Sequence, residues 1–166
     1  MINIEQLSTV YSVRKLNDND INDILNIMDG NPTYFKYCPP LPSVKTIKED
    51  MLALPPHKDY NDKYYIGLFE KELICVIDLI DHYPNEDSLF IGFFMINKKY
   101  QKQGIGSFII KEIENYCLNK YHEIRLGYVK DNKESESFWI KNGFKPTGVI
   151  SHQELYDVVV MSKTIS

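Results

Sequence analysis

The spacing of apolar and polar positions changes several times along the chain, and each change marks an element. Residues 11–16 alternate as a half-buried strand does. Asn17, Asp18, Asn19 and Asp20 then offer capping side chains; Ile21, Ile24, Leu25 and Met28 follow at helical spacing, and Gly30 closes that helix. Residues 31–42 carry Tyr34, Phe35, Tyr37 and a set of prolines, which reads as a loop rather than regular helix. Ser43 caps a second helix whose stripe is Val44, Ile47, Met51 and Leu54, ended by Pro55 and Pro56. Three strand-like runs follow at 64–69, 73–81 and 89–96, and the short turns between them predict an antiparallel meander.

The clearest element is an amphipathic helix over residues 104–120, with Ile105, Ile109, Ile113 and Cys117 on one face. Ile124, Leu126 and Tyr128 alternate as the next strand. A crossover through so long a helix predicts that this strand runs parallel to the one before it. A further helix covers 133–141 and stops at Asn142-Gly143, and segments 144–151 and 155–161 form a closing antiparallel pair. The order β-α-α-β-β-β-α-β-α-β-β predicts an α/β (α+β) fold, read as one domain over residues 1–166.

Composition narrows the function classes. The chain is 43% hydrophobic and 25% charged, as a globular protein is, and its net charge of −4 gives no general attraction to nucleic acid or to an anionic membrane. A cationic substrate is compatible with that charge. No run is long and apolar enough for a membrane span, and Met1-Ile2-Asn3-Ile4-Glu5 lacks the layout of a signal peptide, so a cytoplasmic location is expected. Abundant Ile, Asn and Lys with scarce Ala suggest an AT-rich, bacterial genome. Cys38, Cys75 and Cys117 are far apart and odd in number, so they read as buried free thiols; His57, His122 and His152 have no metal-ligand spacing, and no metal is expected.

Gly104 and Gly106 sit between a strand and the start of the long helix, where unpaired backbone N–H groups and the positive helix end suit a phosphate. Turn glycines occur at such junctions too. A dinucleotide fingerprint needs a third glycine where Ile109 stands, and a P-loop needs Lys-Ser or Lys-Thr where Ser107-Phe108 follows Gly106, so neither applies.

Gln101-x-x-Gly104-x-Gly106, between strand and helix, resembles the acyl-CoA pyrophosphate loop of the GNAT N-acetyltransferases. Asn132-x-x-Ser135-x-x-Phe138-Trp139-x-x-x-Gly143-Phe144 resembles that family's second segment, at the right separation and on the right elements. The close match covers residues 90–144, and the element order extends it to nearly the whole chain. The resemblance implies a mixed, mostly antiparallel sheet of six to seven strands flanked by about four helices. It implies acetyl-CoA as acyl donor, held by backbone at Phe94, Met95 and Ile96, by the loop residues Gln101, Gln103, Gly104, Ile105, Gly106 and Ser107, and by Asn132, Ser135 and Phe138. An N–H on the strand before the loop would polarise the thioester carbonyl.

Trp139 stands where many members carry a tyrosine that protonates the departing thiolate. Indole N–H donates a hydrogen bond but is no acid near neutral pH, so Trp139 reads either as a thiolate contact or as a core aromatic. Asp78 is the one charge inside an apolar run, which makes it a candidate general base facing a cleft, or else an edge charge serving solubility. Asp81 and His82 follow it, with Glu86 in the same turn, as candidate proton relays or acceptor contacts, and Tyr34 and Tyr37 are candidates for an acceptor wall or for ordinary packing. The expected reaction is direct transfer of acetyl from acetyl-CoA to a primary amine of a small molecule or peptide, without a covalent intermediate; a homodimer is compatible with this. The alternatives are a non-catalytic acyl-CoA-binding or regulatory domain and a nucleotide-binding domain.

Overall fold

The computed structural model describes residues 1–165. A seven-stranded sheet has the order β1-β2-β3-β4-β5-β7-β6, and every neighbouring pair is antiparallel except β4 with β5. The strands are β1 (Ser12–Lys15), β2 (Lys63–Phe69), β3 (Leu73–Ile80), β4 (Ser88–Ile96), β5 (Glu123–Val129), β6 (Lys145–His152) and β7 (Asp157–Thr164). The helices are α1 (Ile21–Asp29), α2 (Pro32–Tyr37), α3 (Val44–Leu52), α4 (Ile105–Cys117) and α5 (Lys133–Lys141). The expected strands and the parallel β4–β5 pair are both present.

Two expectations fail. The segment 31–42, read as irregular, contains α2. Pro32 occupies the first helical turn, where its missing N–H breaks no hydrogen bond and its fixed φ suits the helix, while Pro39, Pro40 and Pro42 all come after the helix has ended. The helix expected to reach residue 120 also stops earlier, at Cys117, whose carbonyl takes the N–H groups of both Lys120 and Tyr121.

Two cores form, one on each face of the sheet. On one face α4 lays Ile109, Ile110, Ile113 and Cys117 over Ile66, Ile77, Leu79, Leu89, Ile124 and Leu126, all nearly inaccessible to water. On the other, α1 to α3 bring Ile24, Met28, Phe35 and Ile47 onto Tyr65, Val76 and Met95. Local signals set the helix starts. Asn17 forms a reciprocal capping box with Asp20 on the 3-10 turn that leads into α1, and Ser43 forms another with Thr46 at the start of α3. No helix among the described residues is long and apolar enough to cross a membrane.

β4 has nine residues, yet it pairs with β5 only from Ser88 to Ile91. The reason lies on its other edge. Asp78 pairs with Phe93 and Leu79 with Ile91, so Gly92 is an extra residue in β4, a bulge that bends and twists the strand. Beyond it β4 stays with β3, and β5 stays with β7. The two strands part, and the sheet opens in its middle.

Candidate active site

The gap between β4 and β5 is the mouth of a cleft of about 1040 Å³, a size suited to a large ligand. Its lining draws on both faces of the sheet. The start of α4, the start of α5 and the free stretch of β4 form one end; α2, α3 and the inner residues of β2 and β3 form the other.

At the first end, Gly104 has a left-handed φ of +77°, where a side chain would be strained, and it begins α4. From Gln103 to Ser107, no backbone N–H has an acceptor among the described residues. These are the orphan donors of a helix start, and with the positive end of the helix they suit a phosphate. Gly104, Ile105, Gly106 and Ser107 line the cleft, whereas the Gln103 side chain turns back to donate to the Lys99 carbonyl at 3.1 Å. Gly106 lies against α5, since a Cβ there would come within 3.2 Å of the Phe138 ring.

Gln101 has a role the sequence did not indicate. Its amide donates to the Ile96 carbonyl at 2.8 Å and to Asn31 Oδ1 at 2.6 Å, and Asn31 also donates to the Ile96 carbonyl. The loop is thus bolted to the last residue of β4 and to the end of α1. Phe94, Met95 and Ile96 line the cleft with the β5-facing backbone edge of their strand unpaired by another strand. Asn132 is buried and caps α5 by accepting from Ser135 N–H, while its amide nitrogen donates to no protein group among the described residues. Lys98 and Lys102 add positive charge at this end.

Trp139 is 7% exposed and packs edge-on against Phe94, Phe138 and Phe144, with ring centroids 5.6, 4.9 and 5.2 Å away. It borders the cleft as part of an aromatic core. Tyr128, on β5, faces the gap, and burial raises its hydroxyl's pKa so that it stays protonated.

At the second end lies Asp78. Lys63, itself 5% exposed, donates to its Oδ2 at 2.8 Å, and Oδ1 is buried without a partner. Burial pushes the carboxyl up to about 6, against the opposing pull of Lys63. Gly92 is required here: a Cβ would come within 2.9 Å of Oδ2, so only glycine lets the carboxylate lie across β4 toward the cleft. Asp50, from α3, lines the same end and is also raised to about 6, first by the surrounding protein and partly by the Asp78 charge, with Lys63 opposing. It nevertheless remains open to solvent, because the wall it belongs to is the side of a cleft. Tyr65, Tyr34, Phe93, Tyr156 and Cys38 complete this end.

Three expected acceptor residues are not here. Asp81 and His82 lie where β4 and β5 are still paired, so no gap exists beside them. Asp81 is buried, accepting from the Tyr121 hydroxyl and pairing with the terminal amine of Met1 at 2.9 Å, and His82 packs on Tyr121. Tyr37 ends α2 beneath Lys36 and is outside the cleft lining. Cys75 and Cys117 are buried free thiols with pKa values raised by burial, as expected, but Cys38 is half-buried in the cleft wall. No group of three or more potential metal ligands comes together among the described residues.

Asp50, Lys63, Tyr65 and Gly92 were absent from the sequence reading. Lys63 was detectable in retrospect, as a lysine beginning an apolar strand that ends up beside a charge on the next one. Asp50 gave no signal, since acidic residues on the polar face of a helix are ordinary.

This architecture recurs in known proteins. An acetyltransferase from Thermus thermophilus has 16% identity and a TM-score of 0.72, with 93% of this chain and 97% of that chain covered. The ribosomal-protein-S18-alanine N-acetyltransferase from Escherichia coli has 13% identity and a TM-score of 0.66, covering 94% of each chain. Spermidine N-acetyltransferase from Vibrio cholerae, in complex with CoA and spermine, has 20% identity and a TM-score of 0.65, covering 95% of this chain and 97% of that one. A search of curated proteins finds no match to the sequence. At such identities the structures establish likeness of fold; the sequence itself matches the acetyltransferase (GNAT) family over residues 25–144, which include the starts of both α4 and α5 at the first end of the cleft, and the chain therefore belongs to that family.

Proposed function

We propose that the protein is a one-domain, cytoplasmic N-acetyltransferase that binds acetyl-CoA in the β4–β5 gap and transfers its acetyl group directly to a primary amine. The observation that carries this reading is the continuity of the cleft: the unpaired N–H run opening α4 and the free edge of β4 lead straight to Asp78.

The residues present fit the donor. The N–H groups from Gln103 to Ser107 would receive the pyrophosphate, with Lys98 and Lys102 adding charge, and the free amide of Asn132 would meet the pantetheine arm. Bound there, acetyl-CoA supplies an activated acetyl thioester. The β4 edge offers backbone N–H groups to the carbonyl oxygen, where negative charge develops during attack.

At the other end Asp78 handles the proton. An alkylamine with a pKa near about 10.4 arrives protonated and must lose a proton before its lone pair can attack. Above about pH 6 Asp78 is ionised, and its Oδ1 is free to accept that proton directly or through water, while Lys63 fixes Oδ2. The departing thiolate, with a thiol pKa of roughly 8.5, is a tolerable leaving group and takes its proton from Tyr128 or water. Trp139 shapes the wall.

Thiol release from acetyl-CoA, measured against a panel of primary amines with mass detection of the product, tests the reading. One N-acetylated product per thiol is expected. Tight acetyl-CoA binding without turnover on any amine would replace the reading with a non-catalytic acyl-CoA-binding domain.

A further inference from the structure

The acceptor end holds a cluster of groups whose hydrogen bonds are incomplete. The Tyr65 hydroxyl and Asp78 Oδ1 are the two buried side-chain atoms among the described residues without a partner. Tyr65 is 6% exposed, lines the cleft, and feels the charges of both Asp50 and Asp78. Buried polar groups are ordinarily satisfied, so two orphans on one cleft wall mark a place where a ligand completes the set.

The charges at this place count out simply. Lys63 is engaged with Asp78 Oδ2, and its ammonium lies 5.8 Å from the Tyr65 ring centre. Among the described residues Asp50 has no ion-pair partner. Two carboxylates and one ammonium leave one negative charge, which balances one incoming cation. The lysines lining the cleft, Lys98, Lys102 and Lys141, come from the segment before α4 and from α5; α2, α3, β2 and β3 contribute none. A carboxylate on the acceptor would therefore face two acids and no free base. The remaining wall is uncharged and rich in aromatic rings, with Cys38, Pro39, Pro40 and Ala53 among them. Tyr34 stands edge-on to Phe93 with centroids 5.7 Å apart, and Tyr156 adds a third ring.

We propose that Asp50, Asp78 and Tyr65 form an acceptor subsite for a monoamine, one ammonium on an uncharged aromatic or aliphatic body, and that this subsite rejects amines bearing a carboxylate. The proposal rests on the acetyltransferase reading of the same cleft. Within it, Asp50 attracts the ammonium at the entrance and sets affinity, Asp78 takes the proton, Tyr65 completes the hydrogen bonds, and the rings hold the body of the substrate. Asp50 is thus a specificity residue, distinct in function from Asp78.

The test compares three probes with acetyl-CoA on the full chain: phenethylamine, phenylalanine, which differs from it by a carboxylate, and spermidine, which brings further cations. The kcat/KM for phenethylamine should exceed that for phenylalanine by about a hundredfold and that for spermidine by about tenfold. Asp50→Asn should raise the KM for phenethylamine by about tenfold, with kcat and the KM for acetyl-CoA within about threefold of wild type. Tyr65→Phe should raise the same KM by a smaller factor. Comparable use of phenylalanine, preference for spermidine, or an unchanged KM in Asp50→Asn overturns the subsite while leaving an acetyltransferase. Should no amine be acetylated, calorimetric binding of phenethylamine that weakens in Asp50→Asn supports the subsite and removes the catalytic reading. Absence of both binding and turnover overturns both.

Discussion

At the proposed donor end of the cleft the groups offered to a ligand are chiefly main-chain ones, five consecutive N–H groups at the start of α4 and the free edge of β4, with the side chains of Asn132, Lys98 and Lys102 beside them. At the proposed acceptor end the groups on which the reading rests are side chains from separate parts of the chain: Asp50 from α3, Lys63 and Tyr65 from β2, Asp78 from β3 and Tyr34 from α2. The two ends share one cavity, and in the proposed reading they recognise their ligands by different means. A backbone site depends on conformation, which glycine spacing and caps control, so it is less sensitive to the identity of the side chains around it. A side-chain site depends on residue identity and is the part that can be retuned to a new acceptor without disturbing the fold.

Asp78→Asn is the strongest way to separate the ends. Loss of a positioned general base should lower kcat by roughly 10²- to 10⁴-fold while the dissociation constant for acetyl-CoA stays within about threefold, measured by steady-state kinetics and calorimetry. The Asn carbonyl still accepts from Lys63 but leaves its buried ammonium without a counter-charge, so Tm should drop, and the kinetics are read well below it. The wild-type pH profile should show the same group. Asp78 is raised above the usual carboxylate range, so its basic form is lost as pH falls through about 6, and kcat/KM should fall there. Lys63, Tyr65 and Asp50 surround it, and Asp50, also raised to about 6, adds to that limb. In Asp78→Asn, Asp50 alone should shape what remains.

Gly92→Ala should act at the junction of the ends. The new Cβ displaces a carboxylate that Lys63 holds in place, so kcat should fall by about tenfold, with acetyl-CoA affinity nearly unchanged. An unaltered kcat would mean that the position of the Asp78 carboxylate does not matter.

Trp139→Phe should have the smallest effect on catalysis. Because the indole is packed among three phenylalanine rings and is no acid, kcat should stay within about threefold, while Tm drops by roughly 2–8 °C from lost packing. A larger loss of kcat with an unchanged Tm would assign the indole a contact with the reacting atoms.

Sequence reading recovered the fold where local rules decide. Capping residues at Asn17 and Ser43, the period of α4 and its crossover to a parallel β5 were all legible, because each rests on neighbours in sequence or on chain handedness. It missed α2 because proline was read as a breaker, although Pro32 sits where a helix tolerates it. The Gly92 bulge was invisible, since a bulge is a relation between β3 and β4 that no single strand encodes. The same distinction governs the site. Gly104 and Gly106 stood out through spacing; Asp50, Lys63 and Tyr65 become a group only when α3, β2 and β3 are brought together. Asp78 stood out because charge is rare in an apolar run, whereas Asp81, three residues on, proved to be an anchor for the N-terminus.

The division of the cleft into a backbone donor end and a side-chain acceptor end is tested most directly by calorimetric titration of acetyl-CoA into three proteins side by side: wild type, Gly106→Trp and Asp78→Asn. The larger side chain at position 106 would fill the space between the start of α4 and the Phe138 ring, where even a Cβ is tight. The account predicts clear binding to wild type and Asp78→Asn and a loss of at least about a hundredfold in Gly106→Trp. Wild-type affinity in Gly106→Trp, or a matching loss in Asp78→Asn, would contradict it.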